Sequence, residues 1–159
     1  ALYSLTRSSS GGCLLYLTSH GGPDGVVYGK RTLTPADLDG VLDRTCAERP
    51  TVAISAACFS GVFIPALAGP NRMVVTAARA DRASFGCAAD ETYTYFDACV
   101  LESLPTSARL DVLAEQARAC VARRETETGM APPSEPQISI GAEIAKRLPA
   151  LTLVARPSG

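Results

Sequence analysis

The stretch Thr51-Val-Ala-Ile-Ser-Ala-Ala-Cys-Phe-Ser-Gly61 opens a run that carries no charge between Arg49 and Arg72. Its first seven residues are apolar or small, and the short continuous run ends in turn-forming residues, which is the pattern of a buried strand. Cys58-Phe59-Ser60-Gly61 then leads into a short helix that stops before Pro70. The run is not a membrane span: Ser55, Ser60, Gly61, Pro65 and Gly69 interrupt it, whereas a spanning helix wants about 20 predominantly apolar residues.

Working outward, Cys13-Leu-Leu-Tyr-Leu-Thr-Ser19 reads as another buried strand, closed by the turn-rich loop His20-Gly-Gly-Pro-Asp-Gly25. Val26 to Tyr28 forms a short extended piece. Thr34-Pro35-Ala36-Asp37 supplies a helix start, with a capping hydroxyl, proline at the first helical position and an acid in the first turn. That helix is expected to reach about Glu48 and to bury Leu38, Val41 and Leu42. Downstream come a third strand over residues 72–78, a loop over 80–92 and a helix over 93–104. A long helix over 107–126 follows, with Leu110, Leu113, Ala117, Cys120 and Val121 on one face. A proline-rich turn at 132–136, a helix over 141–148 and a strand over 151–155 complete the reading. Strands separated by helices imply right-handed βαβ units, and so an α/β fold with a parallel sheet covered by helices on its faces.

The 159 residues fit one domain over residues 1–159 with a sizeable core; 47% are hydrophobic and 19% charged, and there is no internal repeat. Lys+Arg 15 against Asp+Glu 16 removes the broad basic footprint of a nucleic-acid or anionic-membrane binder. No secretory signal is visible in residues 1–10, and the chain starts at Ala1. The compartment is therefore open; an upstream targeting segment removed earlier would fit a cell-envelope or secreted location. Six cysteines are present, and Cys13, Cys46, Cys99 and Cys120 fall in apolar-periodic segments, where free cysteine acts as a small core hydrophobe. Disulfides stay open at this point. With no C-x-x-C and a single histidine, a structural zinc site is not expected.

In parallel sheets ligands bind beyond the carboxyl ends of the strands. His20 follows one strand and Cys58 the next, so with neighbouring strands both project from the same sheet edge. Cys58 also sits at a strand-to-helix turn, a place where helix-terminal amides favour thiolates. Thiol catalysis needs a nucleophile, a proton carrier and oxyanion donors. Cys58, His20 and the backbone N–H groups of Gly21 and Cys58 supply that set.

Ser19-His20-Gly21 and Ser55-Ala56-Ala57-Cys58-Phe59-Ser60-Gly61, each after an apolar strand, resemble the legumain-type cysteine peptidases, relatives of the caspases and of the GPI-transamidase catalytic subunit. The resemblance continues through Thr76-Ala77-Ala78, Ser84-Phe85-Gly86-Cys87, Thr94-Tyr95-Phe96-Asp97 and Ser134-Glu135-Pro136-Gln137, and is nearest to the bacterial branch. It implies a caspase-like three-layer α/β/α sandwich with a mostly parallel sheet and a His20/Cys58 dyad. By the same resemblance Gly21 and Cys58 form the oxyanion hole, while Ser84 and Asp97 line the pocket for the substrate's P1 side chain, with Asp97 favouring an amide or cationic group. The family often has a substrate-binding Glu two positions before the cysteine; Ala56 stands there. A first strand and helix that precede the histidine strand in the family are represented only by a remnant in residues 1–7. Either the chain is a piece of a longer product, or another chain, a second copy included, completes the sheet edge.

The activity implied is hydrolysis of peptide bonds in a peptide or protein substrate after Asn or another polar or basic residue, with no cofactor. The alternatives are peptide ligation on the same dyad, since an amine can resolve an acyl-enzyme, or a non-catalytic interaction module on a caspase-like scaffold. Other motifs fall away. Gly25 to Lys30 lacks the phosphate-loop spacing, Ser60 lacks the nucleophile-elbow pattern, and the arginines at 118, 123 and 124 alternate with glutamates as ion pairs on a helix face.

Overall fold

A computed structural model describes Thr6, residues 11–87 and residues 91–152. Most of the N-terminal remnant and the end of the strand expected over 151–155 lie outside them.

The element order opens with β1 (Cys13–Thr18), β2 (Gly21–Gly22), β3 (Gly25–Tyr28), β4 (Arg31–Leu33) and α1 (Pro35–Thr45). It continues with β5 (Thr51–Ala56), a 3₁₀ turn (Ser60–Phe63), α2 (Ile64–Leu67) and β6 (Arg72–Thr76). Then follow α3 (Tyr95–Ser103), α4 (Leu110–Thr128), β7 (Gln137–Ile140), α5 (Ala142–Arg147) and a second 3₁₀ turn (Leu148–Ala150). The main sheet has the order β1-β5-β6-β7, and β2-β3-β4 form a small antiparallel sheet beside it.

The charge-free segment behaves as its composition requires: all six residues of β5 are buried, between parallel neighbours β1 and β6. Alternation splits its side chains between two cores. Val52, Ile54 and Ala56, with Met73 and Val75, pack against Phe96, Val100, Leu113, Ala117 and Val121 of α3 and α4. Ala53 and Val74 face the other way, onto Leu38 and Leu42 of α1 and Phe63 and Leu67 beyond Cys58. These layers are the α/β/α arrangement expected. The capping reading also holds: Thr34 Oγ1 accepts from the Asp37 N–H at 3.2 Å, and Asp37 accepts in return from the Thr34 N–H.

The sheet is mostly parallel, as expected, and β7 is an added antiparallel strand on β6, pairing Val74 with Ser139 and Val75 with Ile138. Its four residues between a proline-rich turn and a glycine are too short a signal to separate from loop. Val41 is only half-buried, and α1 ends at Thr45 with Cys46 as its cap. The cysteines at 13, 46, 99 and 120 are not free core hydrophobes: Cys13 bonds Cys46, and Cys99 bonds Cys120. Positions that direct a cysteine onto a packed face also set it opposite its partner, with Cα atoms 5.8 and 5.7 Å apart, inside the range a disulfide needs. One bond ties the start of β1 to the end of α1, the other ties α3 to α4. Among the described residues no helix is long and apolar enough to cross a membrane.

The Cys99–Cys120 bond closes a loop across a sequence separation of 21. Replacing both cysteines by alanine is expected to lower the unfolding free energy by about 3 kcal/mol. Urea titration of the oxidised parent against the double variant measures this, and an unchanged midpoint would contradict it.

Candidate active site

The two loops named from the sequence leave the same edge of the sheet. β1 and β5 pair in register, Leu17 with Ser55 and Thr18 with Ala56, so His20 and Cys58 each follow two residues beyond a matched pair. The loops touch. A Cβ built on Gly21 would lie 2.2 Å from the Cys58 carbonyl oxygen and 3.0 Å from the Ala57 Cβ, so only glycine allows this approach. β2 holds Gly21 from the other side through its antiparallel pairing with Val26, and the His20 carbonyl accepts from the Val27 N–H at 2.8 Å.

The segment around Cys58 is held as firmly. Phe59, directly after it, adopts a left-handed conformation with φ 58°, unusual for a bulky side chain, and its N–H donates to the Arg82 carbonyl at 2.8 Å. Gly61 presses against the 79–80 backbone, where a Cβ would come within 2.4 Å of the Ala80 nitrogen. Buried Ser60 Oγ accepts from the Ala78 N–H. The 79–84 segment is thereby fixed over the cysteine. The Ser84 N–H reaches Cys58 Sγ at 3.3 Å, and the Ser84 carbonyl and hydroxyl lie 3.5 Å from the same sulfur.

Beside this edge runs a groove of about 780 Å³. Exposed His20 stands at one part of it together with Thr18, Cys87 and Asp97, and Leu14, Leu101 and Leu104 extend it as an apolar channel. Asp97 lies in the first turn of α3, where its N–H donates to the cap hydroxyl of Thr94. Its carboxylate accepts from Tyr16 Oη at 2.6 Å, Thr94 Oγ1 at 2.8 Å and Thr18 Oγ1 at 3.2 Å. The Tyr16 phenol is consequently pushed far up from its ordinary value, first by burial, then by the hydrogen bond to Asp97 and the charge of that group.

The structure thus places His20 and Asp97 along the groove and Cys58 against Ser84, with Gly21 between the two loops. Ala56 is different: it is 2% exposed and packs in the core beneath α3 and α4, away from the groove. Two hydroxyls that hold Asp97, those of Tyr16 and Thr18, go unnoticed in the sequence. Their signal is weak but present, as both lie on the alternate face of β1 from Leu15 and Leu17, where an apolar strand has polar tips. Cys87 is the other addition, an exposed free thiol on the groove.

Two predictions follow from this geometry. Gly21→Ala must push the two loops apart, and overpacking of this kind is expected to cost about 1–3 kcal/mol in denaturant unfolding; an equally stable variant would show that the loops do not meet. The Tyr16 phenol keeps its proton in the folded state after an unfolded tyrosine loses its own near pH ~10. Stability is therefore expected to fall as pH rises above that value, and Tyr16→Phe to flatten the fall, as followed by unfolding midpoints across alkaline pH.

Residues 5–127 match the family model described as the peptidase C13 family. No curated protein matches the sequence. Among solved structures, caspase-1 from Spodoptera frugiperda superposes with a TM-score of 0.61 at 16% identity, over 87% of this chain and 63% of that one. At that identity the likeness shows the fold, an α/β caspase-like architecture, and the chain spans less than two thirds of the caspase's length. With the family model spanning most of its length, the chain belongs to the peptidase C13 family, the legumain-like cysteine peptidases.

Proposed function

We propose that the protein cleaves peptide bonds with Cys58 as nucleophile and His20 as proton carrier. The observation that carries this reading is the contact of Gly21 with the Cys58 carbonyl, which joins the only histidine's loop to the loop of a free cysteine at one sheet edge.

In this mechanism Cys58 Sγ attacks the scissile carbonyl carbon, and the oxygen takes up the negative charge between the N–H groups of Gly21 and Cys58. His20 delivers a proton to the departing amine, and then draws one from the water that hydrolyses the thioester. Its exposure at the groove leaves both exchanges open to solvent. Ser84 lies against the sulfur through its N–H, carbonyl and hydroxyl.

The P1 side chain enters the groove beside Asp97. A carboxylate offers about four lone-pair sites, and the hydroxyls of Tyr16, Thr18 and Thr94 use three of them. One acceptor position is left for an N–H donor. An Asn amide or a basic side chain satisfies it, and an acidic one is repelled. Ala56, being buried, takes no part in P1 selection on this reading.

Hydrolysis of a fluorogenic peptide library varied at P1 tests the proposal. Cys58→Ala is expected to lower kcat/KM by at least ~10³-fold while the fold persists, and His20→Ala by a large but smaller factor, because binding and oxyanion donors retain some catalysis. Asp97→Ala is expected to change which P1 residue is preferred. Turnover that survives in Cys58→Ala would overturn the assignment of the nucleophile, and an unaltered P1 profile in Asp97→Ala that of the pocket.

A further inference from the structure

Among the described residues two cysteines are free, Cys58 and Cys87, and the other four are paired. The free pair is not scattered. Ser84 lies against Cys58 Sγ through its N–H, carbonyl and hydroxyl. Two residues later the chain turns at Gly86, with φ 84°, so close to α3 that a Cβ there would sit 2.7 Å from the Tyr95 nitrogen. The Tyr95 N–H donates to the Phe85 carbonyl at 3.0 Å and pins this turn. The turn carries Cys87 back to the nucleophile's side, three residues beyond the Ser84 that holds the Cys58 sulfur and close enough for Cys58 to act on its thiol. Cys87 is exposed and borders the groove with His20 and Asp97, and Cys58 is partly exposed.

We propose that Cys87 is a resolving thiol for Cys58, and that the two close a reversible disulfide across the cleft when a low-molecular-weight disulfide such as glutathione disulfide enters it. The proposal rests on the reading of Cys58 as the reactive thiol of the site. The Cys58 thiolate attacks one sulfur of the reagent, whose S–S bond breaks and releases the first small thiol, protonated. The Cys87 thiolate then attacks the Cys58 sulfur of the mixed disulfide and expels the second. Two protein thiols are oxidised by two electrons in total, the reagent's disulfide is reduced, and both protons leave on the released thiols.

The surroundings order these steps. Partial burial of its sulfur, the charges of Cys58 and Asp97 and the hydrogen bond to Cys58 all push the Cys87 thiol up, so it keeps its proton while Cys58 is free. In a mixed disulfide the Cys58 sulfur itself can no longer ionise. This removes both contributions that come from Cys58, and Cys87 gives up its proton more readily once its neighbour is capped. The two structural disulfides are set apart by position: one joins β1 to α1 and the other joins two packed helices, whereas Cys58 and Cys87 lie in loops, Cys58 partly exposed and Cys87 exposed at the groove. Accessible disulfides are the ones that cycle.

The test incubates the native chain in glutathione buffers of graded oxidised-to-reduced ratio, blocks remaining thiols by alkylation, and maps the digest by mass spectrometry, with peptide hydrolysis read on the same samples. The expected result is a Cys58–Cys87 linked peptide and the loss of both alkylatable thiols, reversed by dithiothreitol, with the structural disulfides unchanged. Cys87→Ser is expected to accumulate glutathione on Cys58 instead. A wild-type chain that carries glutathione on Cys58 while Cys87 remains alkylatable would overturn the proposal, whatever its hydrolytic activity. If the linked peptide forms but Cys58→Ala still hydrolyses the library, the disulfide stands and the peptidase assignment of Cys58 falls; if the linked peptide forms and hydrolysis falls with it, both stand.

Discussion

The parallel pairing of β1 with β5 is the constraint on which the rest of the molecule depends. β5 is buried along its whole length, so its backbone groups must be satisfied by strands on both sides and its side chains by helices on both faces. β1 and β6 meet the first demand, α1 to one side and α3 with α4 to the other meet the second. Parallel strands end at the same edge. The residues that follow β1 and β5 are thereby delivered side by side without any direct attraction between histidine and cysteine.

The groove has its origin in the asymmetry of β1. Leu15 and Leu17 turn toward α1, and the disulfide from Cys13 to Cys46 locks that side. Leu14 and Tyr16 face the opposite way and stay 49% and 40% exposed, because α3 and α4 cover β5 and β6 and stop short of the edge. Asp97 bridges the gap, drawing hydroxyls from β1 to the first turn of α3. A single carboxylate thus serves as helix-start acid, as tie between layers and as a charged point of the cleft. The Cys99–Cys120 bond keeps α3 in place behind it.

What could be read in advance follows the range of the interactions. The capped start of α1, the buried strand expected over 51–57 and found over Thr51–Ala56, and the face of α4 formed by Leu110, Leu113, Ala117, Cys120 and Val121 all come from neighbours in sequence. The cysteine pairings could not be read, since a cysteine on an apolar stripe looks the same whether or not another faces it. β7 escaped because four residues offer little periodicity and its place is decided by β6. Ala56 marked a substrate-binding position by resemblance, and burial in β5 took it out of reach.

By itself the sequence determined the alternation of strands and helices, the two loops with their histidine and cysteine, and the shared edge from which they leave, because hydrophobic period, turn residues and the handedness of βαβ units act locally or between consecutive elements. Only the tertiary structure decided that Gly21 lies against Cys58, that Asp97 is held by Tyr16 and Thr18, and that Ser84 lies against the Cys58 sulfur. Those contacts join residues tens of positions apart. Their distances depend on how closely packed layers settle against one another, and no local pattern encodes that separation.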